Sequence, residues 1–185
     1  MAIILHIALV FWMLIPFLYF ITAAANTFRV PALRNNGAVL GQFSFVSGML
    51  CVILMGLFSA LSVPLAMCGC ILALCSVLLY EVARRTVIDQ DFYIGLGGEV
   101  PAAVCEKGPY RFVRHPFYLS YMVAFLGVAV AFPSAIVSGV CLINMGLFVY
   151  MAIDDERVLL SSKLGVDYRI YQARVGMFVP RIKSP

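Results

Sequence analysis

Glu106-Lys107-Gly108-Pro109-Tyr110-Arg111-Phe112-Val113-Arg114-His115-Pro116-Phe117-Tyr118 puts three cations, two tyrosines and one of the chain's two histidines directly before an apolar run that continues to Phe132. A polar, basic, proline-punctuated segment feeding a membrane-length helix is a place where a water-soluble ligand and a lipid can meet. Pro116 suits the first position of that helix, because its missing N–H would have no intrahelical partner there. His115 then caps the helix and Arg114 precedes it. The free N–H groups of this terminus, with Arg111 and Arg114, can hold a carboxylate or phosphate. Tyr118, three residues on, shares a face with His115. The same residues also read as a juxtamembrane basic cluster on lipid headgroups, with tyrosines as interfacial anchors.

The flanking chain agrees with the membrane reading. Of 185 residues, 63% are hydrophobic and 12% charged, and the mean hydropathy is +1.00. Soluble domains are about half apolar and about a quarter charged. The expectation is an all-α integral membrane bundle in a single domain, 1–185. The net charge of +4 has no long basic run behind it, so it points to membrane orientation and not to nucleic acid. The six cysteines contain no C-x-x-C pair, Cys68-Gly69-Cys70 has the wrong spacing for a zinc clip, and no metal or disulfide framework is expected. Residues 1–25 lack a basic leader and are too long for a signal core, so they read as a retained helix.

Hydropathy predicts spans near 2–25, 39–60, 65–82, 116–132 and 134–153, then an amphipathic tail that stops at Gly176 and Pro180. Pro16 sits inside the first span, which membrane helices tolerate. The turn at Ser62-Val63-Pro64 predicts helix 3 packed antiparallel on helix 2, with Gly41, Gly48, Gly56, Gly69, Ser44, Ser47 and Ser59 supplying small surfaces. All 13 Lys and Arg fall in 26–37, 83–115 and 154–185. Five spans put those segments on one side, facing the cytosol, with the N-terminus outside. No inverted repeat suggests a transporter.

Two further clusters could carry chemistry. Asp154-Asp155-Glu156 is expected at the end of helix 5, where acids oppose the helix dipole and need a cation, either Arg157 or Arg84 or a cationic ligand. The short turn at Pro133 returns helix 5 beside helix 4, so His115 and Glu156 should emerge together. An anion site beside a cation site suits a zwitterionic ligand with an extra positive centre. On the tail, Tyr168, Tyr171 and Arg174 are read as one stripe, against the alternative of a helix lying on the bilayer. Gly95-Leu96-Gly97-Gly98 follows no strand and does not mark a dinucleotide fold.

Gly108-Pro109-Tyr110-Arg111-x-Val113-Arg114-His115-Pro116-x-Tyr118 resembles the signature of the isoprenylcysteine carboxyl methyltransferase and phospholipid methyltransferase group of membrane enzymes. Glu156, Leu159, Leu160, Leu164-Gly165, Tyr168, Tyr171, Arg174-Val175 and Pro180 are similar to the family's tail, and Arg84-Arg85-Thr86 to its approach. The family's pair of glutamates is here Glu156-Arg157, with Asp155 one residue early, and Ser120 stands where a glycine is common. The resemblance covers about residues 84–180 and implies S-adenosylmethionine as cofactor and a lipid or prenylated acceptor in the bilayer. It divides the chain into three N-terminal spans, 1–82, and a cofactor-binding half, 83–185. It implies cofactor contacts from Gly108, Tyr110, Arg111, Arg114, His115, Pro116, Tyr118, Asp155 and Glu156. Glu156 and Arg174 would act in catalysis, Arg174 orienting an acceptor carboxylate. The tail favours carboxyl methylation of an isoprenylcysteine, with a phospholipid amine as the alternative. A sterol-type reductase using NADPH and a non-enzymatic scaffold are the competing classes; His115-Pro116 argues against the reductase.

Overall fold

The computed structural model describes residues 2–27, 36–88 and 103–181. They form α1 (Ala2–Thr27), α2 (Asn36–Phe58), α3 (Val63–Val87), a 3-10 turn (Gly108–Arg111), α4 (Pro116–Ala131), α5 (Ala135–Leu160) and α6 (Gly165–Arg174). Segments of α1, α2, α3 and α5 are long and apolar enough to cross a membrane. In hydrocarbon a spanning chain must pair its own backbone groups, which a helix does within one segment. The protein is therefore an all-helical membrane bundle. The fifth predicted span, α4, is equally apolar but has 16 residues. Its length is about 24 Å, short of a hydrocarbon core of about 30 Å. Pro116 sets its start, and Ser134 caps α5 by accepting from the Val137 N–H at 3.2 Å.

The tightest crossing is between α3 and α4. A Cβ on Gly69 would lie 2.7 Å from the Gly127 carbonyl oxygen, and one on Gly127 2.9 Å from that of Gly69. Small residues let two backbones approach this closely, and close packing holds membrane helices together where the hydrophobic effect does not. The expected α2–α3 hairpin is not what forms: among the described residues α3 packs on α4 and α1 instead of along α2. The glycine faces explain the difference, since Gly69 finds its match on α4, while Gly48 and Gly56 of α2 accept Phe17 and Val10 of α1. At the centre, Tyr121 meets Phe20 and Phe45 at 4.9 Å and Phe148 at 5.2 Å between ring centroids. Four helices thus share one aromatic core.

Two helices run past their predicted ends. α3 continues because Glu81 accepts from Arg84 Nε and Nη2 at 2.8 Å, from Arg85 Nε at 2.7 Å and from the Tyr19 hydroxyl at 2.5 Å. Ion pairs at i+3 and i+4 extend a helix beyond its apolar stretch. Arg84 is therefore committed to Glu81 and does not neutralise the acids of α5. α5 continues to Leu160, so Asp154, Asp155 and Glu156 lie inside the helix and not at its terminus. Arg29, Arg34, Asp89, Asp91, Gly95 to Glu99 and Pro101 lie outside the described residues.

Candidate functional site

The site forms where the 3-10 turn, the start of α4, the last turns of α5 and α6 converge. Gly108 opens the turn with φ +52° and faces the Thr86 side chain, so a side chain there would be both strained and crowded. The turn closes by Tyr110 N–H to Lys107 O at 3.1 Å and Phe112 N–H to Pro109 O at 3.0 Å. It buries Tyr110, whose carbonyl accepts from the Tyr171 hydroxyl of α6 at 2.7 Å. Burial pushes both phenols well above their ordinary pKa, so both remain protonated.

The chain after α6 then returns beside the approach to α4. Val113 pairs in parallel with Gly176, Arg114 N–H donates to Gly176 O at 2.9 Å, and His115 N–H to Met177 O at 3.2 Å. This main-chain pairing fixes the direction of Arg114 and His115. Pro116 stands buried at the first position of α4, as its missing N–H predicts.

Glu156 is the hub. Its carboxylate, 4% exposed, accepts from Arg114 Nε at 2.7 Å and Nη2 at 3.2 Å, and from Gln172 Nε2 at 2.8 Å, and it pairs with His115 Nε2 at 3.0 Å. Arg114 is buried too, and its remaining arm donates to the carbonyls of Val175 and Gln172. Its charge and that of Glu156 compensate each other in a bidentate pair. Asp155, one residue earlier and half-buried, accepts one hydrogen bond among the described residues, from the Tyr118 hydroxyl at 2.8 Å. Asp154 is exposed. Tyr118 is sandwiched between His115, at 5.7 Å and 19° between ring planes, and Phe148, at 6.1 Å and 22°. Phe178 also approaches His115, at 6.0 Å and 47° between ring planes.

The structure thus gathers Arg114, His115, Tyr118, Asp155 and Glu156. It places Gly108 and Tyr110 in the supporting turn and leaves Arg111 exposed at its edge. It does not bring Arg174 into the cluster: that guanidinium is exposed and bonds Glu106 at 2.9 and 3.0 Å. The predicted Tyr168–Tyr171–Arg174 stripe is corrected by helix geometry, because six residues turn a helix by about 600° and leave Arg174 about 120° off the face. The buried face is Tyr168, Tyr171 and Val175, with half-buried Gln172 beside it. Counting i+3, i+4 and i+7 from Tyr168 would have found Gln172. Phe148 and Phe178 carried no such signal.

A family model described as phospholipid methyltransferase matches residues 60–165. The match takes in α3, α4 and α5, with Arg114, His115, Tyr118, Asp155 and Glu156, and ends where α6 begins. No curated protein and no solved structure matches the chain.

Proposed function

From the premise that the chain belongs to the phospholipid methyltransferase family and is a membrane methyltransferase, we propose that it uses S-adenosylmethionine to methylate the amine of a membrane phospholipid. The observation that carries this reading is the unequal commitment of two adjacent acids. Glu156 is saturated by Arg114, His115 and Gln172, whereas Asp155 is held by Tyr118 alone among the described residues.

The donor set fits the cofactor. Asp155 would hold its ammonium, the α4 terminus with Arg111 its carboxylate, and the rings of His115, Tyr118 and Phe178 its flat or cationic parts. The cofactor supplies a methyl group on a sulfonium, a strong electrophile with a good leaving group. The chain then has to position and to place charge. Glu156 keeps Arg114 and His115 in register, Tyr118 orients Asp155, and the acidic pair Asp154–Asp155 attracts the acceptor ammonium, which gives a proton to His115 before its nitrogen takes the methyl group. Gly108 and Tyr110 shape the turn that backs the site. All 13 Lys and Arg fall in segments that share one side when α4 crosses together with the four longer helices, which supports a cytosolic site and an N-terminus outside.

Calorimetric titration of the detergent-purified protein with S-adenosylhomocysteine, with NADPH in parallel, tests the cofactor. Wild type should bind the first and not the second, and Asp155→Asn should weaken binding by about tenfold or more, as losing a charged hydrogen bond does. Binding of NADPH alone would overturn the reading in favour of a reductase.

One observation favours a second acceptor, the carboxylate of a prenylated cysteine. Arg174 presents a half-exposed guanidinium already paired with a carboxylate, that of Glu106, and an acceptor could take that place. On this reading Arg174→Ala lowers turnover on a prenylated-cysteine acceptor and keeps the affinity for S-adenosylhomocysteine. On the phospholipid reading the same variant methylates phosphatidylethanolamine at the wild-type rate.

A further inference from the structure

Inside the spanning part of the bundle, α2 and α5 share a polar group that the surface site does not use. Ser47 Oγ lies 2.8 Å from Ser44 O and 3.1 Å from Asn144 Oδ1. Asn144 Nδ2 donates to Val140 O at 2.8 Å, which leaves one amide hydrogen. Ser44 Oγ is fully buried and has no hydrogen-bond partner among the described residues. A helical serine usually returns its hydroxyl to a carbonyl one turn back. Ser76 and Ser120 do so at 2.7 and 2.6 Å; Ser44 does not. A polar atom left in this state within hydrocarbon is costly and marks a functional position.

Its place in the bundle says what could use it. α2 and α5 run antiparallel, since Phe45 faces Phe148 at 6.3 Å while Ser47 meets Asn144. Ser44 is therefore level with Phe148, one turn nearer the site than Asn144. Phe148 stacks on Tyr118, which bonds Asp155. The seven residues from Phe148 to Asp155 rise about 10 Å along α5.

We propose that Ser44, supported by Ser47 and Asn144, donates a hydrogen bond to an acyl ester carbonyl of a glycerophospholipid acceptor. The inference rests on the reading that the surface site methylates a lipid amine. The groups still to be satisfied are an O–H and an N–H, so the occupant must bring an acceptor, and ester carbonyls are the acceptors a lipid carries below its headgroup. Nine bonds separate an ethanolamine nitrogen from that carbonyl carbon, the reach of three extended residues, about 10 Å. An acceptor amine next to the cofactor at the Asp154–Asp155 level of α5 and a carbonyl beside Ser44 thus suit the same molecule. A prenyl chain has no oxygen at that depth.

Native mass spectrometry of the full-length protein with diacyl phosphatidylethanolamine and its dialkyl ether analogue tests the proposal. Wild type should bind the diester roughly three- to tenfold more tightly. Ser44→Ala, a substitution that a helix accommodates, should erase the difference by weakening the diester alone. Equal affinities in wild type, as expected if Ser44 holds only a water, or undiminished discrimination in Ser44→Ala, would overturn it. Methyl transfer is measured on the same samples. Ester discrimination without amine methylation would support the carbonyl site and overturn the acceptor reading.

Discussion

Replacing Glu156 with alanine is expected to lower the affinity for S-adenosylhomocysteine by about a hundredfold or more and to release α6, while the spanning helices stay folded. Arg114 is 8% exposed, and the substitution strands its charge. Breaking one side of a buried pair costs about 3–5 kcal/mol, and every 1.4 kcal/mol is about tenfold. The loss falls on the polar end because Glu156 connects α5 to Arg114, His115 and Gln172, and through them to the chain beyond α6. Hydrogen exchange over residues 165–178 should rise sharply in Glu156→Ala, with exchange in α1 to α4 unchanged. The double variant Arg114→Met/Glu156→Leu removes both charges and should recover most of the protection without recovering ligand affinity. Unchanged exchange in the single variant would show that Glu156 does not latch α6.

The second large effect is expected at the α3–α4 crossing. Gly127→Leu puts a Cβ 2.9 Å from the Gly69 carbonyl oxygen and 3.3 Å from Leu72 Cβ. Overpacking commonly costs about 1–3 kcal/mol, and here backbone, not a movable side chain, blocks relief. The helices must part, lowering the midpoint of thermal unfolding in detergent and shifting the α4 terminus away from Thr86 and the 3-10 turn. Gly139→Ala, whose added Cβ meets nothing within 4 Å, is the matched control and should leave the midpoint unchanged or slightly raised. Similar behaviour of the two variants would mean that the crossing does not set stability.

The helices and the core of the site were legible for different reasons. Long apolar runs fix membrane helices because hydrocarbon tolerates no unpaired backbone. Their ends were misjudged wherever charge begins before the helix stops: Glu81 with Arg84 and Arg85 carries α3 on, and Glu156 with Arg114 lets α5 keep three consecutive acids within it. The meeting of His115 with Glu156 followed from Pro116 as a helix start and from the short turn at Pro133. Which acid is committed and which available could not be read, since it depends on Gln172 and on the Val113–Gly176 pairing. A main-chain bridge has no side-chain signature. Only the stripe through Tyr168, Tyr171 and Arg174 fails on periodicity, since six residues do not return to one helix face; the role of Arg174 rests on the resemblance.

α5 runs on to Leu160, past Glu156, which meets His115 at the start of α4, so it overtops that start by about 6 Å. The start of α4 thus lies below the end of its neighbour, and on the proposed reading a solute and a lipid meet there. Pulling a lipid into water would cost about 0.8 kcal/mol for every methylene exposed. On that reading the lipid need never be extracted, because its tails stay dissolved while its head steps sideways. Supply from the two phases then obeys separate laws: surface density and lateral diffusion for the lipid, bulk concentration for the solute. Diluting one lipid among others and lowering the solute become independent ways of slowing the same encounter.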